Sequence, residues 1–182
     1  MLTSGWTGND LLQVEACPKE LAIVKFGNVE LTNICQILTP TQAQNQPEVS
    51  WTTAPEKLYS IFMMDPDAPS RQDPKYREWY HWGVLNIPGT KINEGQIIAD
   101  YIGAGPPKGT GLHRYVILIY EQQTHIDYNE PKLPVNTKGR YSHKIKSFAA
   151  KFNLGSPVAG ACFQAEWDDY VAKLYAKFPE EK

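Results

Sequence analysis

Short apolar runs alternate with turn residues along the first two thirds of the chain. The runs are rich in β-branched and aromatic residues and are separated by glycine, proline and asparagine, a pattern typical of antiparallel strands. In the run VILIY, residues 116–120, successive positions are apolar, as in a central strand covered on both faces. The predicted strands lie within residues 21–31, 48–54, 58–65, 81–89, 97–103 and 114–122. We therefore predict a mainly β protein, a sandwich of two antiparallel sheets.

The apolar spacing becomes helical towards the end of the chain. A first helix is predicted by apolar residues at positions i, i+3, i+4 and i+7, which are Ile145, Phe148, Ala149 and Phe152. Gly155 is placed to end that helix. A second series with helical spacing runs through Trp167, Tyr170, Val171, Leu174, Tyr175 and Phe178. The sequence thus predicts C-terminal helices with their apolar stripes against the core.

Composition limits the class of protein. With 42% hydrophobic and 21% charged residues, the chain of 182 residues resembles a globular domain and not a disordered segment. Its length suits one sizeable core, so we assign residues 1–182 to a single domain. The formal net charge of -2 gives no field that would attract nucleic acid. No stretch approaches the roughly 18 apolar residues of a membrane span. We expect a monomer with at most peripheral membrane contact.

One segment is strongly basic. Residues 131–165 contain no Asp or Glu, and their basic residues are Lys132, Lys138, Arg140, Lys144, Lys146 and Lys151. This pattern fits either a solvated basic face or a docking patch for an anionic surface or partner. Ser147 lies within the segment and is either a phosphorylation site that changes partners or an ordinary serine on a helix surface.

Cysteine usage bears on the compartment. Cys17, Cys35 and Cys162 are odd in number and far apart, with no C-x-x-C pair, so we expect reduced cysteines in a reducing compartment. The first ten residues lack the charged and apolar regions of a secretory signal, and no N-x-[ST] sequon is present. These features predict a cytoplasmic protein.

Candidate chemistry is concentrated in two segments, of which the first is GAGPPKGTGLHRYV at residues 103–116. It does not match a dinucleotide-binding motif, because Lys108 stands where glycine is needed and a strand follows instead of a helix. Gly103 and Gly105 can present backbone N–H groups to an anion. His113 and Tyr115, two residues apart on a strand, point the same way. The alternative is a tight turn whose histidine is satisfied by a neighbour.

The second segment is DPDAPSRQDPKYREWYHW at residues 65–82. A proline follows Asp65 and another follows Ala68, so a stiff loop holds the Asp65 carboxylate at the end of a strand. His81 begins the next strand, and Trp79 and Trp82 supply apolar walls. The two segments together offer a carboxylate, imidazoles, a phenol and backbone amides. A zwitterion carrying a phosphate and an ammonium group would satisfy this set.

Two catalytic interpretations use the same residues. Asp65, His81 and His113 suit non-haem iron or zinc, which would make the protein a metal-dependent hydrolase. Asp65 and Asp67 resemble paired carboxylates, but Asp67 is expected to brace the loop because neighbouring strand positions face opposite sides. No G-x-S-x-G or H-E-x-x-H motif is present. We therefore expect no enzyme, and no catalytic residue, metal or cofactor.

These two segments, together with AGACFQAEWDDYVAKLY at residues 159–175, resemble the phosphatidylethanolamine-binding protein family. The resemblance covers most of the chain and implies a β-sandwich with C-terminal helices and a small anion pocket at one end. It also implies cis peptide bonds at Ala68–Pro69 and Arg77–Glu78. By motif, the implied ligand-binding residues are Asp65, Pro69, Tyr76, Trp79, His81, Gly103, Gly105, Pro106, His113, Tyr115 and Tyr175.

Function is also implied by the resemblance. Family members bind phospholipid head groups, inhibit the Raf-to-MEK kinase step or inhibit serine proteases. We expect a non-enzymatic protein that binds phosphate or phosphoethanolamine head groups, or phosphorylated ligands, and modulates a Raf/MEK-type cascade through a protein kinase partner. The alternatives are a serine protease inhibitor and a metal-dependent hydrolase.

Two residue-level expectations accompany this function. Mammalian relatives have histidine at the position of Tyr80, so this chain lacks adjacent imidazoles but keeps anion binding through His81. If His81 and His113 bind as imidazolium ions, affinity should fall as pH rises through their titration.

Overall fold

The computed structural model describes residues 17–178 of the chain. The prediction about the first ten residues therefore lies outside the described residues. The described strands are β1 (Glu20–Leu21), β2 (Ile23–Phe26), β3 (Val29–Glu30), β4 (Gln36–Ile37), β5 (Glu48–Ser50), β6 (Leu58–Asp65), β7 (Trp79–Pro88), β8 (Gln96–Ala99), β9 (His113–Gln122) and β10 (Ala159–Ala165). The helices are α1 (Ile145–Lys151) and α2 (Asp169–Tyr175), with a 3₁₀ turn at Ile92–Glu94.

The strands form two sheets. The larger has the order β1-β10-β9-β6-β7-β8, with β4 also paired to β10, and the smaller has the order β3-β2-β5. Neighbouring strands are antiparallel except that β1 and β4 run parallel to β10. The predicted sandwich of two sheets with C-terminal helices is confirmed.

The central strands of the large sheet are buried on both faces. On one face Ile61 packs in an apolar cluster with Val24 of the small sheet. On the other face Phe62 and Leu118 pack with Ile145 of α1. Successive residues of a strand point to opposite faces, so β6 and β9 need apolar side chains at almost every position. This explains the continuous apolar run of the sequence.

Both predicted helices are present and slightly shorter than their apolar patterns. The first N–H of α1 is satisfied by the Glu78 carboxylate, which accepts from Ile145 N–H at 2.9 Å. Asp168 caps α2 by accepting from Tyr170 N–H at 3.0 Å, while its other oxygen accepts from Thr41 N–H at 2.9 Å. This cap ties α2 to the loop that follows β4. Neither helix of residues 17–178 is long and apolar enough to cross a membrane.

Cys35 and Cys162 form a disulfide, with their Cα atoms 4.5 Å apart and a sequence separation of 127 residues. The prediction of reduced cysteines is therefore wrong for this pair, whereas Cys17 is free and exposed. The parallel pairing of β4 with β10 brings the two together, and Cys35 N–H donates to the Cys162 carbonyl at 2.7 Å. Sequence spacing could not reveal a contact between strands so far apart along the chain.

Four strands meet at the end of the large sheet that carries the predicted site. β6 ends at Asp65, which pairs with Trp79 at the start of β7. β9 begins at His113, which lies opposite Ala165 at the end of β10. Because antiparallel neighbours place the end of one strand beside the start of the next, the two segments singled out in the sequence converge here.

Candidate ligand-binding site

A cavity of about 360 Å³ opens at this end of the large sheet. All but one of the predicted ligand-binding residues line it: Asp65, Pro69, Tyr76, Trp79, His81, Gly103, Gly105, His113, Tyr115 and Tyr175. The exception is Pro106, whose neighbour Pro107 lines the cavity instead. Trp82, predicted as a wall, lies in the apolar core between the sheets. Contact of these residues with a ligand stays a prediction.

A chain of hydrogen bonds crosses the polar end of the cavity. His113 Nδ1 lies 2.8 Å from Asp65 Oδ2, and His113 Nε2 lies 2.8 Å from Thr110 Oγ1. The Thr110 hydroxyl donates its hydrogen to the Pro107 carbonyl at 2.8 Å, so it must accept from His113 Nε2. Both ring nitrogens of His113 are therefore engaged within the protein.

The proton count of the Asp65–His113 pair follows from this geometry. Nε2 of His113 carries a hydrogen, and the 2.8 Å contact of Nδ1 with the Asp65 carboxyl needs one more. Whichever atom holds that shared proton, the pair has no net charge. Burial raises the pKa of Asp65, opposed by its hydrogen bond to His113, which favours keeping the proton between them.

Asp67 braces the loop after β6, as predicted. The Arg114 guanidinium forms a fork on its carboxylate, with Nε at 2.9 Å from Oδ2 and Nη2 at 2.7 Å from Oδ1. Asp67 N–H donates to Asp65 Oδ1 at 2.7 Å, which fixes the second oxygen of that carboxyl. The same loop contains cis peptide bonds at Ala68–Pro69 and Arg77–Glu78, as the resemblance implied.

His81 is a neutral imidazole of defined tautomer. Its Nδ1 lies 2.8 Å from the Ile102 carbonyl, which can only accept, so Nδ1 carries the hydrogen. Burial lowers the pKa of His81 to about 3, despite that hydrogen bond. In the unliganded protein His81 is therefore not an imidazolium donor at neutral pH, and the pH dependence of ligand affinity stays a prediction. Sequence could not show this, because the Ile102 carbonyl lies on a separate segment.

Tyr115 supplies a hydroxyl that is ready for a ligand. The residue is fully buried, and its hydroxyl has no hydrogen-bond partner with good geometry among the described residues. Burial raises the pKa of Tyr115 well above its ordinary value, so the phenol keeps its hydrogen. Its ring lies across that of His81, with the centroids 5.1 Å apart.

Gly103 and Gly105 are required by close packing on either side of the cavity. A Cβ on Gly103 would lie 2.6 Å from the Ala43 carbonyl oxygen, and one on Gly105 would lie 2.9 Å from Leu174 Cδ2 of α2. No backbone carbonyl of the described residues accepts their N–H groups. These glycines therefore serve close packing. The Gly103 N–H has no backbone acceptor within residues 17–178, and the Gly105 N–H interacts with the Tyr115 hydroxyl.

The mouth of the cavity is aromatic. Tyr76 and Tyr141 are in contact, with ring centroids 5.0 Å apart, and Tyr175 and Phe178 lie on α2 and just beyond it, 6.0 Å apart. The Tyr175 hydroxyl donates to the Gly105 carbonyl at 2.5 Å. Burial, with a contribution from Asp65, raises the pKa of Tyr175 to about 12. The lining away from the Asp65–His113 pair is thus mostly apolar.

Tyr80, the departure from the mammalian pattern, does not reach the cavity. It follows Trp79 on the strand, so it points to the opposite face of the sheet. There its ring contacts His143, with the centroids 4.9 Å apart, and belongs to the cluster around Phe62. The loss of adjacent imidazoles therefore leaves the cavity itself unchanged.

Arg140 is a structural residue of the site that sequence reasoning missed. It is fully buried, and its guanidinium donates to the carbonyls of Tyr80 at 2.8 Å, Asp100 at 2.9 Å and Pro134 at 2.6 Å. Burial lowers its pKa to about 10. It lies 5.7 Å from the centroid of the Trp79 ring and so supports the cavity wall from behind. Arg140 is the one arginine of the basic segment, and its planar guanidinium can donate to several carbonyls at once.

The basic segment is not one free surface. Arg140 is buried, Lys132 pairs with Asp100 at 3.0 Å, and Lys151 pairs with Glu130 at 2.8 Å. The acidic partners come from outside residues 131–165, which is why the segment appears uncompensated in the sequence. Ser147 is exposed on α1, and its phosphorylation stays a prediction.

The metal alternative finds no support in the geometry. Within residues 17–178 no group of three His, Cys, Asp or Glu side chains is arranged to hold a metal ion. In the proposed triad of Asp65, His81 and His113, both nitrogens of His113 are already bonded within the protein.

The phosphatidylethanolamine-binding protein family model matches residues 28–164. The chain belongs to this family. Among members of the phosphatidylethanolamine-binding protein family, putative odorant-binding protein A5 of Drosophila melanogaster is 42% identical over 158 residues, which cover 86% of this chain and 75% of that protein. The resemblance stated from the sequence is confirmed.

Solved structures agree with this membership. The solution structure of a protein designated CG7054 has 44% sequence identity and a TM-score of 0.74, and the match covers 90% of this chain and 94% of that one. A carboxypeptidase Y inhibitor, crystallised with its cognate proteinase, has 25% identity and a TM-score of 0.68, covering 83% and 85% of the two chains. Members of the family thus include ligand-binding and inhibitor proteins.

Proposed function

We propose that this chain is a non-enzymatic binding protein whose cavity takes a phosphate or phosphoethanolamine head group. The observation that carries the proposal is the fully buried Tyr115 hydroxyl, which lines the cavity and has no hydrogen-bond partner with good geometry among the described residues. A buried polar group without a partner costs about 1–3 kcal/mol, and a ligand oxygen would recover that cost. Membership of the family supports the same ligand class.

The size and lining of the cavity favour an amphiphilic ligand. Phosphoethanolamine has about eight non-hydrogen atoms, which limits the affinity that a free head group can reach. The cavity of about 360 Å³ lies in the range of pockets that hold larger small molecules. We assign the head group to the end near Tyr115 and His81, and the apolar part of the ligand to the aromatic mouth. The name of the Drosophila relative, a putative odorant-binding protein, supports a small-molecule cavity.

The proposal is tested by titration calorimetry with two ligands that share a head group. Tyr115→Phe should weaken both phosphoethanolamine and lysophosphatidylethanolamine by roughly 10- to 150-fold, the value of one charge-assisted hydrogen bond. Tyr141→Ala at the mouth should weaken only the acylated ligand. Tyr128→Phe, whose hydroxyl contacts Glu130 outside the cavity, is the matched control. Equal affinities in wild type and Tyr115→Phe, or no binding by wild type, would refute the assignment.

We further propose that the occupied cavity modulates a protein partner, such as a kinase of a Raf/MEK-type cascade. Tyr76, Tyr141 and Tyr175 surround the mouth and are each about two-fifths exposed, at 38%, 41% and 44%, so a docked protein could contact them. Comparing pull-downs with wild type and Tyr141→Ala, each with and without ligand, tests this step. A partner recovered equally in all conditions would separate partner binding from the cavity.

Protease inhibition is the second candidate. It is favoured by the likeness to the carboxypeptidase Y inhibitor that was solved with its cognate proteinase. Assays against serine proteases with wild type and Tyr115→Phe distinguish the two functions, because an inhibitor acting through a surface loop would not respond to the cavity variant.

The compartment and assembly state remain part of the proposal. We propose a monomer with no nucleic-acid partner and at most peripheral membrane contact. A cytoplasmic location stays a prediction, and the Cys35–Cys162 disulfide weighs against it because structural disulfides persist mainly in oxidising compartments. Fractionation of the source cells, with thiol trapping at lysis, measures both the location and the redox state.

A further inference from the structure

The polar groups at the closed end of the cavity are almost all bonded within the protein. Both carboxyl oxygens of Asp65 are engaged, by Asp67 N–H and by His113. Both nitrogens of His113 are engaged, and Nδ1 of His81 donates to the Ile102 carbonyl. Apart from the Gly103 amide, a ligand therefore meets few free polar groups here.

Nε2 of His81 is one of those free groups, and it is an acceptor. Because Nδ1 carries the ring hydrogen, Nε2 of the neutral ring presents a lone pair, and no described residue donates to it. The Tyr115 hydroxyl is a second free group and can donate. A ligand that satisfies this wall must therefore donate one hydrogen bond, to His81 Nε2, and accept another, from the Tyr115 hydroxyl.

A fully deprotonated oxyanion has no hydrogen that it could donate to His81 Nε2. Its oxygens are acceptors only, so one of them would face the lone pair of His81 Nε2 in a buried site. Arg140, a buried cation behind the wall, donates its Nη1 and Nη2 hydrogens to backbone carbonyls, and its Nε hydrogen is left without a partner among the described residues. An oxyanion that keeps one proton can donate to Nε2 and still accept from Tyr115.

We propose that the cavity selects oxyanions that bring an O–H donor to Nε2 of His81, so that it takes a phosphate monoester as the protonated monoanion in preference to the dianion and to anions without a proton. This inference rests on the function proposed above. It specifies the chemical state of the ligand and not only its class. The complex holds one proton between the ligand oxygen and Nε2, whichever of the two atoms carries it.

The surroundings of His81 agree with this assignment. Burial keeps the pKa of His81 near 3, so the unliganded ring does not itself supply this proton between pH 5 and 8. The titratable and charged groups around the ring are Asp65 from β6, His113 and Tyr115 from β9, Tyr175 from α2, and Arg140 before α1. The Asp65–His113 pair carries no net charge, and Tyr115 and Tyr175 are neutral phenols.

The test uses two probes that differ in one proton. Phenyl phosphate and phenyl sulfate have nearly the same shape, and at pH 5 both are mainly monoanions, but only the phosphate has an O–H group. With a second pKa of about 6, the monoanion fraction of the phosphate falls roughly 90-fold between pH 5 and pH 8. Phenyl sulfate does not titrate in this range, so it reports any pH effect that belongs to the protein.

The expected result is a difference between the probes in both affinity and pH dependence. At pH 5 wild type should bind phenyl phosphate at least about tenfold more tightly than phenyl sulfate, the value of one hydrogen bond to a charged group. The phosphate affinity should fall towards pH 8 while the sulfate affinity stays flat. Calorimetry at pH 7.5 in two buffers of different ionisation enthalpy should show uptake of about one proton with the phosphate only.

His81→Phe is the variant control. It keeps a ring of similar size and removes the acceptor, so the preference for phosphate over sulfate at pH 5 should disappear. Thermal melts check its folding, and the wild-type pH series decides the question if the variant does not fold. Equal binding of both probes at pH 5, or phosphate affinity that rises towards pH 8, overturns this inference and leaves the binding function intact. If neither probe nor phosphoethanolamine binds at any pH, the proposed function itself is refuted.

Discussion

Replacing Asp65 by asparagine separates the hydrogen bonds of this residue from its charge. In the native site Asp65 accepts from Asp67 N–H at 2.7 Å and shares a proton with His113 at 2.8 Å. An asparagine can reproduce both contacts, with its Oδ1 facing Asp67 and its Nδ2 donating to Nδ1 of a neutral His113. Nε2 of His113 would still donate to Thr110. Because the native pair has no net charge, the variant pair matches it.

The expected loss in the free energy of unfolding is much smaller for Asp65→Asn than for Asp65→Ala. The asparagine should change the free energy of unfolding by less than about 1 kcal/mol, since no buried group loses its partner. Alanine orphans Asp67 N–H and the Nδ1 side of His113, at about 1–3 kcal/mol each, so we expect a loss of about 2–6 kcal/mol. Such a loss is a large share of the 5–15 kcal/mol that typically stabilises a domain.

Urea unfolding followed by tryptophan fluorescence measures both variants, because Trp79 lies at the cavity next to His81. Phosphoethanolamine titrations on the same samples should give Asp65→Asn an affinity within about threefold of wild type, less than the value of one hydrogen bond. If asparagine destabilises the protein as much as alanine does, the ionised carboxylate is essential and the shared-proton assignment is refuted.

Two further predictions concern stability. Reducing the Cys35–Cys162 disulfide should lower the free energy of unfolding by about 2–5 kcal/mol, because the bond closes a long loop. The control Cys17→Ser should have the melting temperature of wild type, both with and without reductant. Equal melting temperatures of wild type in the two conditions would contradict the stabilising role of the disulfide. Burial opposes ionisation of Asp67, but its hydrogen bonds to Arg114 hold its pKa below the ordinary 3.8. The stability it contributes is therefore present above pH 3.8 and lost as pH falls through the lower folded-state pKa. Asp67→Asn should lower the free energy of unfolding by about 3–5 kcal/mol at neutral pH. Urea unfolding should show the difference between wild type and variant becoming smaller below pH 3.8. A difference that does not change with pH would exclude the Asp67–Arg114 ion pair as its cause.

The strands that build the site were predictable because their patterns are local. β6, β7 and β9 are long and apolar, and prolines or glycines mark their ends, so their existence follows from a few neighbouring residues. The spacing of His113 and Tyr115 also placed both on the face that lines the cavity. β10 was not among the predicted strands, because Ala159, Gly160 and Ala161 have little strand preference and pack where the sheet is tight.

The chemical state of the site was not predictable, because it depends on contacts between distant segments. His81 is neutral because of its burial and the Ile102 carbonyl, and the need for Gly105 comes from Leu174 on α2. The disulfide and the burial of Arg140 also depend on contacts between segments that are distant in the sequence. Residue type gave the candidates for the cavity, while protonation and hydrogen-bond direction came only with the fold.

The position of Arg140 also decides how the cavity responds to dissolved ions. Exposed charges are screened beyond about 8 Å at physiological ionic strength, but mobile ions act much less on a buried charge. Arg140 is fully enclosed and lies just behind Trp79. Its field therefore reaches the cavity mainly through the protein interior, where mobile ions screen it less. An anion held there would lose less of this attraction in saline fluid than it would lose of the attraction to an exposed lysine.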